Sequence, residues 1–167
     1  VSARAPAESL LREGHVDDVI SKIRQEHDIV HGGFGTQPKF PHPSAIDLLL
    51  RRYDVTGDRG LLAIVMSTLN GMGRGGVYDQ LGGGFHRYSV DERWVVPHFE
   101  KMLYDNAGLL RNYVWAHALT GDPFYAEIAR GIVGYVDSAG SDRKQGGFYA
   151  SQDADISLTD DGDYWTW

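Results

Sequence analysis

Apolar residues recur at helical spacing along most of the 167-residue chain and predict a succession of amphipathic helices. The first stripe passes through Val16, Ile20 and Ile23 and predicts a helix over roughly residues 8–30. The later stripes are Ile46, Leu49, Leu50 and Tyr53, then Leu62, Val65, Leu69 and Met72, then Phe99, Met102, Leu103, Asn106, Leu110, Val114 and His117, then Tyr125, Ile128, Ala129, Ile132 and Val136. The helix expected to begin near Phe99 is apolar on nearly all sides, which predicts burial on both flanks.

Polar residues and glycines mark where these helices begin and end. Ser44, with an acid three residues later, has the capping-box pattern and predicts the start of the second helix. Thr56-Gly57-Asp58 joins a helix-ending glycine to an N-cap aspartate, and Thr120-Gly121-Asp122 repeats this pattern just before a proline. The two triplets predict equivalent tight turns, each of which joins two helices into a hairpin.

Between the hairpins the chain is rich in glycine and repeats one tripeptide. Gly-Gly-Phe occurs at residues 32–34, 83–85 and 146–148, and polar or aromatic groups follow each copy closely. Glycine pairs allow positive φ or a close approach of the backbone, and the phenylalanine is expected to fix each loop to the core. Because such repeats are typical of stacked or ring-arranged units, the long loops are expected to gather on one face.

These patterns predict an all-α fold, a partial (α/α) toroid of about three helical hairpins with short β excursions in the glycine-rich loops. Residues 1–15 are interpreted as a linker and helix start, and residues 16–167 as the toroid. Residues 164–167 have the pattern of a strand with no partner after it. An open strand edge and uncovered helix flanks predict self-association or union with the remainder of a longer chain.

Composition argues against several classes of function. The chain is 42% apolar, carries a net charge of −7 and has no basic stripe, which argues against binding of nucleic acid. It has no apolar run long enough to predict a membrane span. The absence of cysteine excludes disulfides and Cys-ligated zinc, and a cytoplasmic location is expected. No cofactor or metal is predicted, since residues 71–76 match G-x-G-x-x-G only formally and follow a helix rather than a strand.

Residues 75–106 hold the densest set of reactive side chains. His98 and Glu100 are expected at the start of a helix, whose N-terminal field favours a bound anion and lowers a histidine pKa. Asp153 and Asp155 share a face if their segment is extended. The candidate catalytic residues are Asp79, His98, Glu100 and Asp153, and the candidate substrate-binding residues are Tyr78, His86, Arg87, Tyr88, Trp94, Lys101 and Asp155.

The strongest candidates also have a purely structural interpretation. Asp79 stands where a carboxylate would hydrogen-bond its own glycine loop. Glu100 could be an acid that the helix dipole favours, and His98 could cap or pack. Asn106, on an apolar face, needs a hydrogen-bonding partner. Residues 160–163 are predicted to form a solvated turn.

Four long strings, at residues 32–41, 78–91, 94–107 and 147–155, carry a resemblance to a known family. Over about residues 16–167 the chain resembles the thioredoxin-domain-containing proteins related to spermatogenesis-associated protein 20. In that family a thioredoxin-like domain precedes a helical toroid similar to six-hairpin glycosidases and N-acylglucosamine epimerases. The thioredoxin-like part and the second half of the toroid lie outside these 167 residues. The resemblance implies a sugar-processing scaffold with a pocket lined by Asp79, His86, Arg87, Trp94, His98, Glu100, Lys101, Asp153 and Asp155.

The function predicted first is carbohydrate binding or processing. Trp94 and Tyr88 would stack on a sugar ring. In a glycoside hydrolase, Asp79 would act with Glu100, or with an aspartate of the 153–155 pair, as acid and base. In a sugar epimerase, His98 or His86 would move a carbon-bound proton. The alternative is a non-catalytic interaction module in which the same residues only hold the loops, and the sequence leaves this choice open.

Overall fold

A computed structural model of the protein describes residues 13–155, Ser157 and Trp165. Helices predominate in that part of the chain, and its strands are two residues long. The helices are α1 (Glu13–Glu26), α2 (Pro43–Thr56), α3 (Arg59–Arg74), α4 (Leu103–Thr120) and α5 (Pro123–Ser138). The strands are β1 (Tyr88–Ser89), β2 (Pro97–His98), β3 (Lys101–Met102) and β4 (Ser151–Gln152). The predicted all-α class is confirmed, with β excursions in the loops between and after the helices.

The two short turns between helices have the predicted chemistry. Gly57 and Gly121 end α2 and α4 in the left-handed conformation, with φ of 68° and 70°. Asp58 and Asp122 then cap α3 and α5, and each accepts the backbone N–H two residues on, at 2.8 and 2.9 Å. The prediction of two equivalent helical hairpins, α2–α3 and α4–α5, is therefore confirmed.

The first two helix boundaries differ from the prediction. α1 ends at Glu26 rather than near residue 30, because Asp28 begins a hydrogen-bonded turn. Residues 8–12 of the predicted helix lie outside the described part of the chain. α2 begins at Pro43 with His42 as its N-cap, so Ser44 lies inside the first turn instead of capping it. Proline fits this position because the first residue of a helix needs no N–H partner.

The predicted helix start near Phe99 is also wrong, and this changes the account of two candidate residues. α4 begins at Leu103, since β2 and β3 occupy the residues just before it. His98 and Glu100 therefore lie in extended chain and not at the N-terminus of a helix. The acid in the first turn of α4 is Asp105.

The core lies between the two hairpins, with α2 and α4 packed side by side. Arg111 of α4 pairs with Asp47 of α2 at 3.0 Å. The buried hydroxyl of Tyr113 on α4 donates to the carbonyl of Leu69 on α3 at 2.7 Å. The prediction that α4 is buried on both flanks is wrong, because its buried side chains lie on one face and Tyr104 and Val114 on the other face are 60% and 52% exposed. The buried side chains are Asp105, Asn106, Leu109, Asn112, Tyr113 and Ala116.

The long loops lie next to one another at the N-terminal ends of α2 and α4. The loop before α2 joins the next loop through two backbone hydrogen bonds between Lys39 and Ser89, at 2.8 and 2.9 Å. Within that second loop β1 and β2 pair antiparallel, and β3 pairs antiparallel with β4 from the third loop. The expectation that the glycine-rich loops share one face is met by these contacts.

Two sequence predictions fall at the C-terminal end. The turn at residues 160–163 lies outside the described residues, and so does the strand at residues 164–167 apart from Trp165.

Among the described helices, none combines the length and apolar character that crossing a bilayer requires.

Candidate functional site

The three Gly-Gly-Phe turns share one backbone geometry. We call residues 28–34, 79–85 and 142–148 the first, second and third turns. In each, the leading aspartate accepts the backbone N–H groups two and three residues on, at 2.8–3.0 Å. The aspartate also exchanges backbone hydrogen bonds with the glycine pair. The Asx-type role considered for Asp79 is therefore present in all three turns.

In the second turn this aspartate also holds a buried lysine. The Lys101 side chain is 1% exposed, and its Nζ donates to Asp79 Oδ2 at 2.6 Å and to the carbonyl of Gly83 at 2.8 Å. Burial raises the pKa of Asp79, but the hydrogen bonds from Lys101 and from the backbone outweigh it, and the pKa lies below its usual value. Asp79 and Lys101 thus hold the loop together, and the catalytic role of Asp79 and the substrate-binding role of Lys101 stay predictions. Asp28 and the buried Lys39 form the same pair in the first turn, at 2.6 Å.

Three further predicted residues are buried in the loops. Trp94 is fully buried, and its indole N–H lies 3.2 Å from the carbonyls of His31 and Gly32. The prediction that Trp94 stacks on a sugar is wrong, because both faces of its ring are covered by protein. Tyr78 is 8% exposed and packs against Phe85.

His86, the third of these residues, is likewise buried and held by the protein. It is 3% exposed, and its Nδ1 lies 2.8 Å from the carbonyl of Phe99. Burial lowers the pKa of His86 to about 4, so the ring is neutral at pH 7. His86 lines a cavity of about 480 Å³ together with Tyr78 and Asp79. His98, which the resemblance placed in the same pocket as His86, is not among the residues that line this cavity.

A cavity of about 610 Å³ opens where the N-terminal ends of α2 and α4 meet. The residues that precede and begin α2 form one wall, and the first two turns of α4 form the other. The helices approach closely at Gly108, where an added Cβ would lie 2.8 Å from the Cβ of Pro43. The side chains with polar or aromatic character in the lining are Phe40, His42, Ser44, Tyr104, Asp105 and Arg111.

Four predicted site residues lie on the loop beside this cleft. Arg87 Nη1 pairs with Glu100 Oε2 at 2.7 Å, and its guanidinium also interacts with Tyr104 at the cleft. The rings of Tyr88 and His98 stack at 4.7 Å, and Tyr88 packs on Phe40 of the lining at 4.9 Å. The structure therefore gathers Arg87, Tyr88, His98 and Glu100 next to a common opening.

Electrostatics single out two groups in the cleft. Asp105 is 8% exposed, and burial raises its pKa to about 6. Arg87 lowers this pKa and Glu100 raises it, but both effects are smaller than that of burial. His42 keeps part of its surface open to solvent, yet the protein packed around the ring lowers its pKa by desolvation. At neutral pH the cleft thus holds a neutral imidazole and a carboxyl group that protonates readily, a combination typical of acid–base sites.

The predicted aspartate pair does not form an extended face. Asp153 and Asp155 are both exposed, and the chain bends between them. The backbone N–H of Asp155 donates to Asp153 Oδ1 at 3.3 Å. Asp153 directly follows β4, whose Gln152 pairs with Lys101, so it lies near the Glu100 side of the loop.

Sequence reasoning missed four residues of the cleft: His42, Tyr104, Asp105 and Arg111. A helix that began at Phe99 would place Tyr104 and Asp105 in its interior, away from its N-terminal end. With the start at Leu103, both occupy the first turn and face the loops. The sequence feature that could have indicated His42 is its position directly before Pro43, where a loop meets a helix.

The described residues contain no group of three or more acidic or histidine side chains arranged to hold a metal ion.

No protein-family model matches the chain. The chain is 40% identical over 156 residues to spermatogenesis-associated protein 20 of Mus musculus, in an alignment covering 87% of this chain and 20% of the mouse protein. The protein of the same name from Homo sapiens is 41% identical over 156 residues, with the same coverage. The chain thus spans about a fifth of the length of the curated relatives it matches.

Two solved structures share the fold. Cellobiose 2-epimerase from Spirochaeta thermophila superimposes with a TM-score of 0.65 and 19% identity, over 86% of this chain and 41% of the epimerase. Cellobiose 2-epimerase from Bacillus thermoamylovorans gives a TM-score of 0.67 and 13% identity, over 85% of this chain and 42% of the epimerase. Identities this low establish the fold only. The predicted partial toroid is confirmed.

Proposed function

Because this chain is homologous to one region of spermatogenesis-associated protein 20 and shares its fold with part of a sugar-epimerase toroid, we propose that it contributes a carbohydrate-binding and carbohydrate-processing cleft. The observation that carries the proposal is the cavity of about 610 Å³ at the N-terminal ends of α2 and α4. It joins an exposed aromatic ring to a buried carboxyl group and a neutral imidazole.

The lining suits a neutral, hydroxyl-rich ligand. Tyr104 is 60% exposed and offers a ring face to a sugar, since aromatic rings pack well on apolar sugar faces. The two arginines near the opening are already paired, Arg87 with Glu100 and Arg111 with Asp47. Paired guanidinium groups present hydrogen-bond donors without a strong net positive charge, which favours hydroxyl groups over anions.

The chemistry that fits best is proton transfer at a carbon next to a carbonyl, as in sugar epimerisation or isomerisation. A neutral His42 would accept the proton from carbon, and the carbon–hydrogen electron pair would form an enediol as the carbonyl oxygen takes a proton from the protonated form of Asp105, a minor fraction at pH 7. The imidazolium of His42 would then return a proton to carbon, on the opposite face for epimerisation or at the neighbouring carbon for isomerisation. Asp105 would take back the proton of the enediol oxygen, which restores the carbonyl and both side chains. The glycoside-hydrolase version loses support because Asp79, one carboxylate of its predicted pair, is held by Lys101.

Binding is tested with cellobiose and two matched tyrosine variants. Tyr104→Ala removes the exposed ring of the cleft, and Tyr149→Ala removes an exposed ring on the third loop, 52% exposed. We expect saturation-transfer NMR to detect binding of cellobiose to the wild type and to Tyr149→Ala. With Tyr104→Ala the saturation-transfer signal should be at least threefold weaker. Equal signals from both variants would contradict the assignment of the cleft.

Proton transfer is tested by incubating the protein with cellobiose in D₂O and following deuterium at C2 of the reducing glucose by NMR. We expect incorporation above the uncatalysed rate and its loss in His42→Gln. Binding without incorporation would refute catalysis by this chain and leave the non-catalytic module. Incorporation that survives His42→Gln would remove this residue from the mechanism.

A further inference from the structure

Two oppositely charged side chains of the second loop, Arg87 and Glu100, meet beside the cleft because their sequence neighbours are buried. His86 precedes Arg87 and Lys101 follows Glu100, and these two side chains point into the protein at 3% and 1% exposure. The Arg87 and Glu100 side chains keep 41% and 21% of their surface open. The two charged groups therefore share the outer side of the loop.

The contact between Arg87 and Glu100 is made twice. The backbone N–H of Arg87 donates to the carbonyl of Glu100 at 2.7 Å, and Arg87 Nη1 lies 2.7 Å from Glu100 Oε2. The next residue along the loop, Tyr88, pairs with His98 across β1 and β2, and their rings stack. The backbone thus fixes Glu100 opposite Arg87, and the carboxylate holds the guanidinium at that place.

The guanidinium of Arg87 reaches the cleft but does not bind its buried acid. Its hydrogen bonds go to Glu100 and to Tyr104, and none goes to Asp105 among the described residues. Tyr104 directly precedes Asp105 in the first turn of α4. Release of Arg87 from Glu100 would therefore leave a free cation next to Asp105.

Asp105 is a carboxyl group without a partner of its own. It lines the cleft and is 8% exposed, yet no hydrogen bond holds it within the described part of the chain. Buried carboxylates are normally paired or hydrogen-bonded. Asp105 can remain unpaired at low cost only while it carries a proton.

The other charged and titratable groups around the cleft are already engaged or neutral. Arg111 of α4 also lines the cavity, and Asp47 of α2 holds it at 3.0 Å. His42, before α2, has a pKa lowered by desolvation and is neutral at pH 7. The charges that act on Asp105 are those of Arg87, which favours ionisation, and Glu100, which opposes it.

We propose that Glu100 is a positioning residue of the cleft: it holds the Arg87 guanidinium in the loop, so that Asp105 stays without a cationic partner and can carry a proton. This inference rests on the proposed function, in which Asp105 gives that proton to the substrate. Loss of the Glu100 charge frees Arg87, and a free guanidinium pairs with Asp105 and keeps it ionised. Glu100 thus acts on the reaction through Arg87.

The test follows the ¹³C NMR shift of the Asp105 carboxyl carbon through a pH titration of the sugar-free chain. In the wild type we expect a midpoint at a pKa of about 6. Glu100→Gln keeps the shape of the side chain and should lower this pKa by about 1–3 units, as is usual for a carboxyl group beside an arginine. Arg87→Met removes the guanidinium and should raise the pKa, because Arg87 lowers it in the wild type.

The double variant separates positioning from simple repulsion between two acids. If Glu100 acted only through its own charge, Glu100→Gln would lower the pKa of Asp105 equally with and without Arg87. If Glu100 holds Arg87, the decrease should be at least twofold smaller in the Arg87→Met background. Asp17→Asn is the matched control: it frees Arg52, paired at 2.6 Å at the opposite end of α2, and should leave the pKa of Asp105 unchanged.

An unchanged or higher pKa of Asp105 in Glu100→Gln would overturn the inference, and so would an equal decrease in both backgrounds. Deuterium incorporation at C2 of cellobiose gives a second measurement. Its rate should fall as pH rises through the pKa of Asp105, and in Glu100→Gln this fall should occur at lower pH. A wild type that incorporates no deuterium would refute the proposed catalysis, whereas the sugar-free titration decides the role of Glu100 by itself.

Discussion

Asp105→Asn should stabilise the folded chain at neutral pH. Asp105 is 8% exposed and its pKa is raised from 3.8 to about 6, so its ionised form is unfavourable in the folded state. Each pKa unit corresponds to about 1.4 kcal/mol, and the shift therefore costs about 3 kcal/mol at pH 8. Asparagine has the same shape without the charge, and it removes this cost.

The pH dependence of the stability follows from whether the folded or the unfolded state keeps the proton of the Asp105 carboxyl group. Between pH 3.8 and about 6 the folded state retains the proton of Asp105 while the unfolded state releases it. Stability from this group therefore falls as pH rises through that window, and it stays low above it. The stability advantage of Asp105→Asn over the wild type should grow by about 2 kcal/mol between pH 4.5 and pH 8.

Urea unfolding followed by tryptophan fluorescence measures this advantage at the two pH values. Comparing the variant with the wild type at each pH cancels the titration of all other groups. Asp54→Asn is the matched control, because Asp54 is an exposed residue of α2 and should have no effect at either pH. A loss of stability in Asp105→Asn at pH 8, or an advantage that is equal at both pH values, would refute the reasoning.

The remaining predictions concern packing and the loops. Gly131→Ala should destabilise the folded chain, because the added Cβ would collide with the hydroxyl of Tyr78. Gly134→Ala on the same helix places its Cβ in open space and should stabilise the folded chain by about 0.5–1 kcal/mol. Thermal melts of the two variants test both expectations. Lys101→Met leaves Asp79 without its buried partner and should cost about 3 kcal/mol in urea unfolding; a cost below 1 kcal/mol would contradict the structural role. With a pKa of about 4, His86 should make the folded state lose stability as pH falls from 6.5 to 4, and His86→Gln should weaken that dependence.

The two hairpins were predicted correctly because the residues that form their turns are adjacent in sequence. Gly57 with Asp58, and Gly121 with Asp122, act through hydrogen bonds within two residues, which sequence alone specifies. The start of α4 could not be found in this way. Residues 99–102 have a helical stripe, but their backbone pairs with strands from the same loop and from the third loop, which are distant in sequence.

The candidate site was predicted only in part, for a similar reason. A density of charged and aromatic residues located the second loop, and Arg87, Tyr88, His98 and Glu100 do lie beside the cleft. Asp79 and Lys101, however, are 22 residues apart in sequence and pair with each other, which buries Lys101 and holds Asp79 in the loop. Buried pairs of this kind have the composition of an active site and can be recognised only when the contact is known.

The central claim is that a sugar binds at the N-terminal ends of α2 and α4. Amide chemical-shift mapping of the ¹⁵N-labelled chain with cellobiose tests it most directly. We predict that the shifted signals cluster at residues 40–45 and 104–111 and that Tyr104→Ala reduces them. Shifts confined to the third turn and the groove between α4 and α5, or no shifts at saturating sugar, would contradict the account.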